Sequence, residues 1–203
     1  MDGPIQTLME EHRVIEQVLG SMETFVINLR NGADGDRGTV KDYADFLRNF
    51  ADKCHHAKEE ERLFVKMNEF GFPAEFGPVA VMLAEHVEGR AHVKVIWDIG
   101  AGSGPLTSQE RDALVSQGLG YVALLRAHIM KEDNILYPMA TQALPPAEME
   151  ALGEAFEVYE RETMGEGEHA RFHALADRLV AAYPGDPERM TAGNACTGCP
   201  GHM

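Results

Sequence analysis

Apolar side chains recur at alternating steps of three and four along most of this 203-residue chain. That period fits a helix of 3.6 residues per turn and does not fit a strand, whose side chains alternate every two residues. The chain is therefore expected to be all-α, each helix burying one stripe, and a 44% hydrophobic content supplies one core. Helix one carries Ile5, Leu8, His12, Ile15, Leu19, Met22, Val26 and Leu29, and stops at "NGADGDRG". Helix two is expected from about Thr39 to Asn68, ending at "GFP". Helix three carries Val79, Met82, His86, Arg90, Val93 and Trp97. After the glycines of "GAGSGPLTS", Thr107 or Ser108 can cap helix four. The seam of that helix reads Leu114, Gly118, Tyr121, Leu125, His128, Glu132, Ile135 and Met139, with Pro138 expected to kink its end. Two shorter helices are expected over 146–163 and 166–183, with a loose tail from Pro184. The division is then 1–144 for the four long helices, 145–183 for a helical extension packed on them, and 184–203 for a flexible tail.

Charge narrows the function. A formal net charge of -15 argues against nucleic acid as a partner, because affinity for phosphate backbones rests on Lys and Arg. No apolar run approaches the roughly 18 residues of a membrane span. The start "MDGPIQTLMEEH" has neither the basic residues nor the apolar centre of a secretion signal, so a cytoplasmic protein with no membrane partner is expected. Three cysteines do not make a disulfide framework. Nothing in the spacing bears on oligomeric state.

The polar residues on the apolar seams are the informative ones. His12, His86 and His128 each take a core position of a different helix. In "CHHAKEEERLF" the phase must be resolved, and at 100 degrees per residue, with Phe46, Phe50, Ala57 and Phe64 inward, His56 and Glu60 face the core. His55 and Glu59 then fall on the solvated face. In "HIMKE" the spacing repeats, His128 and Glu132 lying one turn apart on one face. Buried carboxylates need a counter-charge, and Arg90 is the one cation expected on these inward seams. Four imidazoles with two carboxylates suit iron, manganese or zinc, and two carboxylates able to bridge suggest a pair of ions.

The motifs "EEHRVIE", "CHHAKEEERLF", "LAEHVEGR" and "HIMKEDNILYPMA" resemble those of the hemerythrin-like family, the HHE cation-binding domain, from about Ile5 to Thr141. The resemblance implies an antiparallel four-helix bundle around two non-heme iron ions, oxo- or hydroxo-bridged. It implies the metal ligands His12, His56, Glu60, His86, His128 and Glu132, with Glu60 and Glu132 bridging. Family functions are binding or sensing of dioxygen, peroxide or nitric oxide, and iron homeostasis. Where oxygen carriers have a further histidine one turn after His86, this chain has Arg90. Both ions are thus expected to keep an open position, which favours oxidant chemistry over simple carriage. Tyr121, two turns before His128, is expected to approach a bound oxygen species, and Arg90 to hold a carboxylate behind the ligands.

The reading is a non-heme di-iron protein binding dioxygen or a related small oxidant. Two alternatives are a di-iron enzyme, a peroxidase or nitric oxide reductase served by a redox partner, and an iron-storage or iron-homeostasis protein. Cys196 and Cys199 of "CTGC" have the spacing of zinc knuckles and redox pairs, but lack a second half. Cys54 reads as a buried thiol, His169 and His173 as surface or packing residues, and Glu154, Glu157, Glu160 and Glu162 as solubilising charge.

Overall fold

The computed structural model describes residues 3–192, and these are mostly helical with no strand among them. Helix α1 (Pro4–Arg30) begins with a proline, whose missing N–H costs nothing in the first turn. Asp36 accepts the Thr39 N–H at 2.9 Å and caps α2 (Arg37–Phe46). The chain then continues through a π-helical stretch (Leu47–His56) and a π turn (Glu59–Leu63) into α3 (Phe64–Glu69). Gly77, at φ 81°, turns the backbone into α4 (Pro78–Gly100). A capping box of Thr107 and Glu110 opens α5 (Ser108–Lys131). That helix passes through a π turn (Glu132–Leu136) into α6 (Tyr137–Ala143), where Pro138 follows directly on the widened turn. Helix α7 (Pro146–Tyr159), a π turn (Glu160–Met164) and α8 (Glu168–Ala182) make up the extension. A short helix α9 (Pro187–Ala192) occupies part of the segment expected to be a loose tail. Cys196 and Cys199 lie outside the described residues.

In the helical bundle α4 packs on α5 and on α2, and α5 packs on α1. Gly118 lets α5 approach α1 closely, since a Cβ there would lie 2.8 Å from Val26 Cγ1. Helix α8 lies on α1 and α2, and α7 lies on α1 and the π turn Glu59–Leu63. Phe172 of α8 meets the rings of Phe46 and Phe50, Ser21 Oγ donates to the Leu179 carbonyl, and the Tyr159 hydroxyl donates to the Lys53 carbonyl.

Two apolar clusters form the core. One contains Ile15, Ala51, Val93, Leu125 and Ile129, the other Leu8, Leu63, Met82 and Leu136. Along each long helical stretch the buried polar residues fall between members of the two clusters: His12 between Leu8 and Ile15, His86 between Met82 and Val93, Glu132 between Ile129 and Leu136. Each fully buried large apolar side chain contributes about 1.5–3 kcal/mol. A polar layer between the clusters forgoes that gain and adds desolvation cost, so its purpose is not stability.

Candidate metal centre

The layer holds His12, His55, His56, Glu59, His86, His128 and Glu132, each at most 4% exposed. Two groups of donor atoms converge within 4.8 Å of one another: His56, Glu59, His86 and His128 in one, His12, His55, Glu59 and Glu132 in the other. Glu59 belongs to both.

This corrects the expected phase of the doublet. Glu60 does not point into the layer; its side chain is 24% exposed, and Oε1 accepts from His86 Nδ1 and from Arg90, both at 2.7 Å. Glu59 is wholly buried in its place, and His55, expected on the solvated face, is 1% exposed. The cause is the π geometry of Leu47–His56 and Glu59–Leu63. Hydrogen bonds from i to i+5 make each turn wider than 3.6 residues, so 100 degrees per residue overshoots. Buried residues accordingly recur five apart: Phe50 and His55, Ala51 and His56, Glu59 and Phe64. The widened turn brings both histidines of the doublet inside.

The outer nitrogens of the imidazoles show how the site is aimed. His12 Nδ1 donates to Asp133 at 2.7 Å, His55 Nδ1 to Glu11 at 2.9 Å, and His128 Nδ1 to Glu85 at 2.9 Å, as His86 Nδ1 does to Glu60. His56 Nδ1 lies 3.6 Å from Asp52. A carboxylate can only accept here, so each of these four rings carries its proton on Nδ1 and turns the Nε2 lone pair inward. His86 Nε2 and His128 Nε2 face each other at 3.0 Å. Two lone pairs at that distance require a proton or a cation between them.

The carboxylates make the same demand. Glu132 Oε2 lies 3.3 Å from His12 Nε2 and 3.2 Å from His128 Nε2, yet neither of its oxygens makes a hydrogen bond, and neither does Glu59 Oε2. Burial and the neighbouring Glu132 push the Glu59 carboxyl well above its usual range. Burial works against charge on His128, but Glu132 and Glu85 prevail and hold it up at about 9. In His55 burial and the His12 charge prevail, bringing it down to about 3. Without an ion the layer thus gathers protons at His12 and His128. Metal ions bind the same lone pairs and displace those protons. The unpartnered oxygens, the inward nitrogens and the all-N/O donor set fit one or two ions of the iron, manganese or zinc type.

The tyrosine in contact with this layer is Tyr137. Its hydroxyl donates to Glu59 Oε1 at 2.7 Å, lies 3.4 Å from His12 Nε2, and its ring stacks on His12. Tyr121, expected in that role, is buried against Gly89 and edge-on to His92. Tyr137 follows Glu132 by five residues, the signature of the intervening π turn. Arg90 is 37% exposed at the rim, where it joins Asp52 and Glu60, each at 2.7 Å. There it pairs with the two carboxylates that stand beside His56 and His86.

The expectation that Arg90 is the sole inward cation is also corrected. Lys58 is 0% exposed, with its ammonium on Glu11 and Glu160. Its aliphatic stem crosses the apolar stripe while its charge serves those two acids rather than Glu59 or Glu132. Glu160, read as solubilising charge, is a partner in this buried pair. Cys54 is 1% exposed, and burial pushes its thiol up to about 12.

The sequence pattern of the hemerythrin HHE cation-binding domain matches residues 3–140. Uncharacterized proteins of Mycobacterium bovis and of two strains of Mycobacterium tuberculosis are 22% identical over 175 residues, which is 86% of this chain and 67% of theirs. No solved structure matches the chain.

Proposed function

The chain belongs to the hemerythrin HHE cation-binding family, and from that premise we propose that it holds two non-heme iron ions in the polar layer and binds dioxygen or a related small oxidant there. In this reading α1, the stretch 37–69, α4 and the stretch 108–143 form an antiparallel four-helix bundle, with α7 and α8 added outside. His56, His86 and His128 serve one ion, and His12 and His55 the other. The observation that carries the reading is the placement of two buried carboxylates between both sets of imidazoles. Glu59 is common to the two donor groups, and Glu132 Oε2 stands between His12 and His128 with no hydrogen bond of its own. A shared carboxylate is what a pair of ions needs and a single ion does not.

Bound iron would supply one electron per ion to an oxidant. The protein's own contributions can be read residue by residue. Asp133, Glu11, Glu60 and Glu85 keep the Nε2 lone pairs of four imidazoles directed inward. Tyr137 holds Glu59 in one orientation through its hydroxyl. Leu8, Leu63, Leu136 and Ile129 close the layer above and below and exclude water. Because His55 adds an imidazole that the sequence reading left on the surface, one ion is better supplied than was expected, and the centre is less open.

The test is metal analysis after expression in iron-replete cells, followed by rapid mixing of the anaerobically reduced protein with oxygen, peroxide and nitric oxide in turn. Two iron ions per chain and an optical change with at least one oxidant are expected. One zinc ion per chain and no iron would overturn the reading.

A further inference from the structure

Lys58 sits on the wall of the metal layer nearest the extension. Its ammonium donates to Glu11 of α1 and, at 2.5 Å, to Glu160 Oε1, the residue that opens the π turn after α7. Glu11 is 3% exposed, and its other oxygen receives His55 Nδ1 at 2.9 Å. From α8, His169 Nε2 comes within 3.6 Å of Glu11 Oε1. The extension therefore sends one side chain, His169, to the carboxylate that orients His55, and another, Glu160, to the lysine paired with that carboxylate. Glu11 thus has Lys58, His55 and His169 gathered around its two oxygens.

Apolar packing alone does not require this arrangement. Phe156 and Phe172 already bury apolar surface between extension and bundle, and a buried ammonium divided between two acids adds desolvation cost to that docking. If Glu160 withdraws, the buried Lys58 keeps one carboxylate, and its hold on Glu11 must readjust. The junction has room for such movement: a cavity of about 410 Å³ opens there, lined by Phe50, Cys54, Glu160, Met164 and His169 among others.

We infer that Glu160 and His169 are positioning residues for the metal centre, acting through Lys58 and Glu11 on His55, so that docking of α7 and α8 is coupled to filling of the half of the centre built from His12 and His55. The inference rests on the two-ion reading given above. Linkage makes the coupling reciprocal: whatever the docked extension adds to the affinity of that ion, the ion adds to the docking of the extension. The extension then reports on the occupancy of a centre to which it contributes no ligand.

The test uses the full chain, stripped of metal and titrated without oxygen with Fe²⁺, and separately with Co²⁺ as a visible probe. Wild type is expected to take up two equivalents, with amide exchange over residues 146–182 slower when loaded than when stripped. Glu160→Gln, acting through Lys58 and Glu11, should weaken one equivalent by up to about tenfold, the low end of the range for losing a group bonded to a ligating histidine, leave the other unchanged, and reduce the exchange difference. Glu157→Gln, which removes an exposed carboxylate of α7, should behave as wild type. Equal weakening of both equivalents, no weakening, or exchange indifferent to loading would overturn the coupling and leave the centre standing. Failure of wild type to bind an ion pair would overturn both. If Glu160→Gln does not fold, His169→Gln carries the same readouts from a half-exposed position.

Discussion

Replacing Glu59 by glutamine should have two effects of opposite sign. In the stripped protein Glu59 is a wholly buried carboxyl with Oε2 unpartnered, 3.5 Å from His86 Nε2 and 3.7 Å from His55 Nε2. Glutamine keeps an oxygen for the Tyr137 hydroxyl, turns an amide N–H₂ toward those nitrogens, and is neutral without taking up the proton that burial and Glu132 force on Glu59. Relieving one unsatisfied buried group is worth about 1–3 kcal/mol. A chain of this length gains about 2–4 °C in unfolding temperature per kcal/mol, so taking about 1–2 kcal/mol of that relief gives a rise of about 2–8 °C. With iron present the order should reverse, because the substitution removes the donor common to both groups. Wild type then gains about 2.7 kcal/mol at a free-iron concentration about 100 times the dissociation constant, and the variant gains little. Thermal unfolding of both proteins, in chelator and in anaerobic Fe²⁺, reads both effects. A variant that unfolds at a lower temperature than wild type in chelator would refute the claim that this carboxylate is retained at a cost to stability.

Glu60→Gln should keep both ions and weaken one by about tenfold, since it loses the acceptor behind His86 but no inward donor; metal loss as complete as in Glu59→Gln would restore the phase expected from 3.6-residue turns. Arg90→His should not lengthen the lifetime of the reduced protein in air, because position 90 lies at the rim with Asp52 and Glu60, and a marked lengthening would place the new imidazole on iron. The Glu110 carboxyl is held down to about 2 by Arg37 first and by the Thr107 N–H and hydroxyl next. A depressed acid stabilises above its ordinary value of 4.5 and loses that contribution as pH falls toward 2, so the stability advantage of wild type over Arg37→Ala should narrow across that window, and an advantage that widened would contradict the pairing. Cys54 should resist alkylation in the folded protein at pH 8, its thiol standing near 12, as judged by peptide mass; rapid labelling would mean that the cavity beside it admits reagents to the sulfur.

Helix positions, the Thr107 cap and the inward places of His12, His86, His128 and Glu132 were legible because ordinary α-helix geometry holds through α1, α4 and most of α5. The doublet was not legible in the same way. "HHAKEEE" offers two histidines and three glutamates in neighbouring places, and a small error in angle per residue exchanges Glu59 for Glu60. A π stretch has no compositional mark to give warning. The one available signal was the spacing of large apolar residues, since Glu59 and Phe64, like Glu132 and Tyr137, stand five apart. Lys58 was missed for a different reason: an ammonium shared between the buried Glu11 and a half-buried acid a hundred positions away follows from tertiary contact alone.

Taken in order, the pairs behind the imidazoles close on themselves. His12 of α1 reaches Asp133 beyond α5, His128 of α5 reaches Glu85 of α4, His86 of α4 reaches Glu60 on the second stretch, and His55 of that stretch returns to Glu11 of α1. Each helical stretch gives one imidazole to a neighbour and takes one from the other neighbour, so the layer is belted by a hoop of four links. Each link joins two neighbouring stretches, so fixing one imidazole also fixes the carboxylate behind it and the helix that bears that carboxylate. Filling both halves of the layer would draw on all four links at once, and the bundle is then expected to stiffen as a whole and not helix by helix.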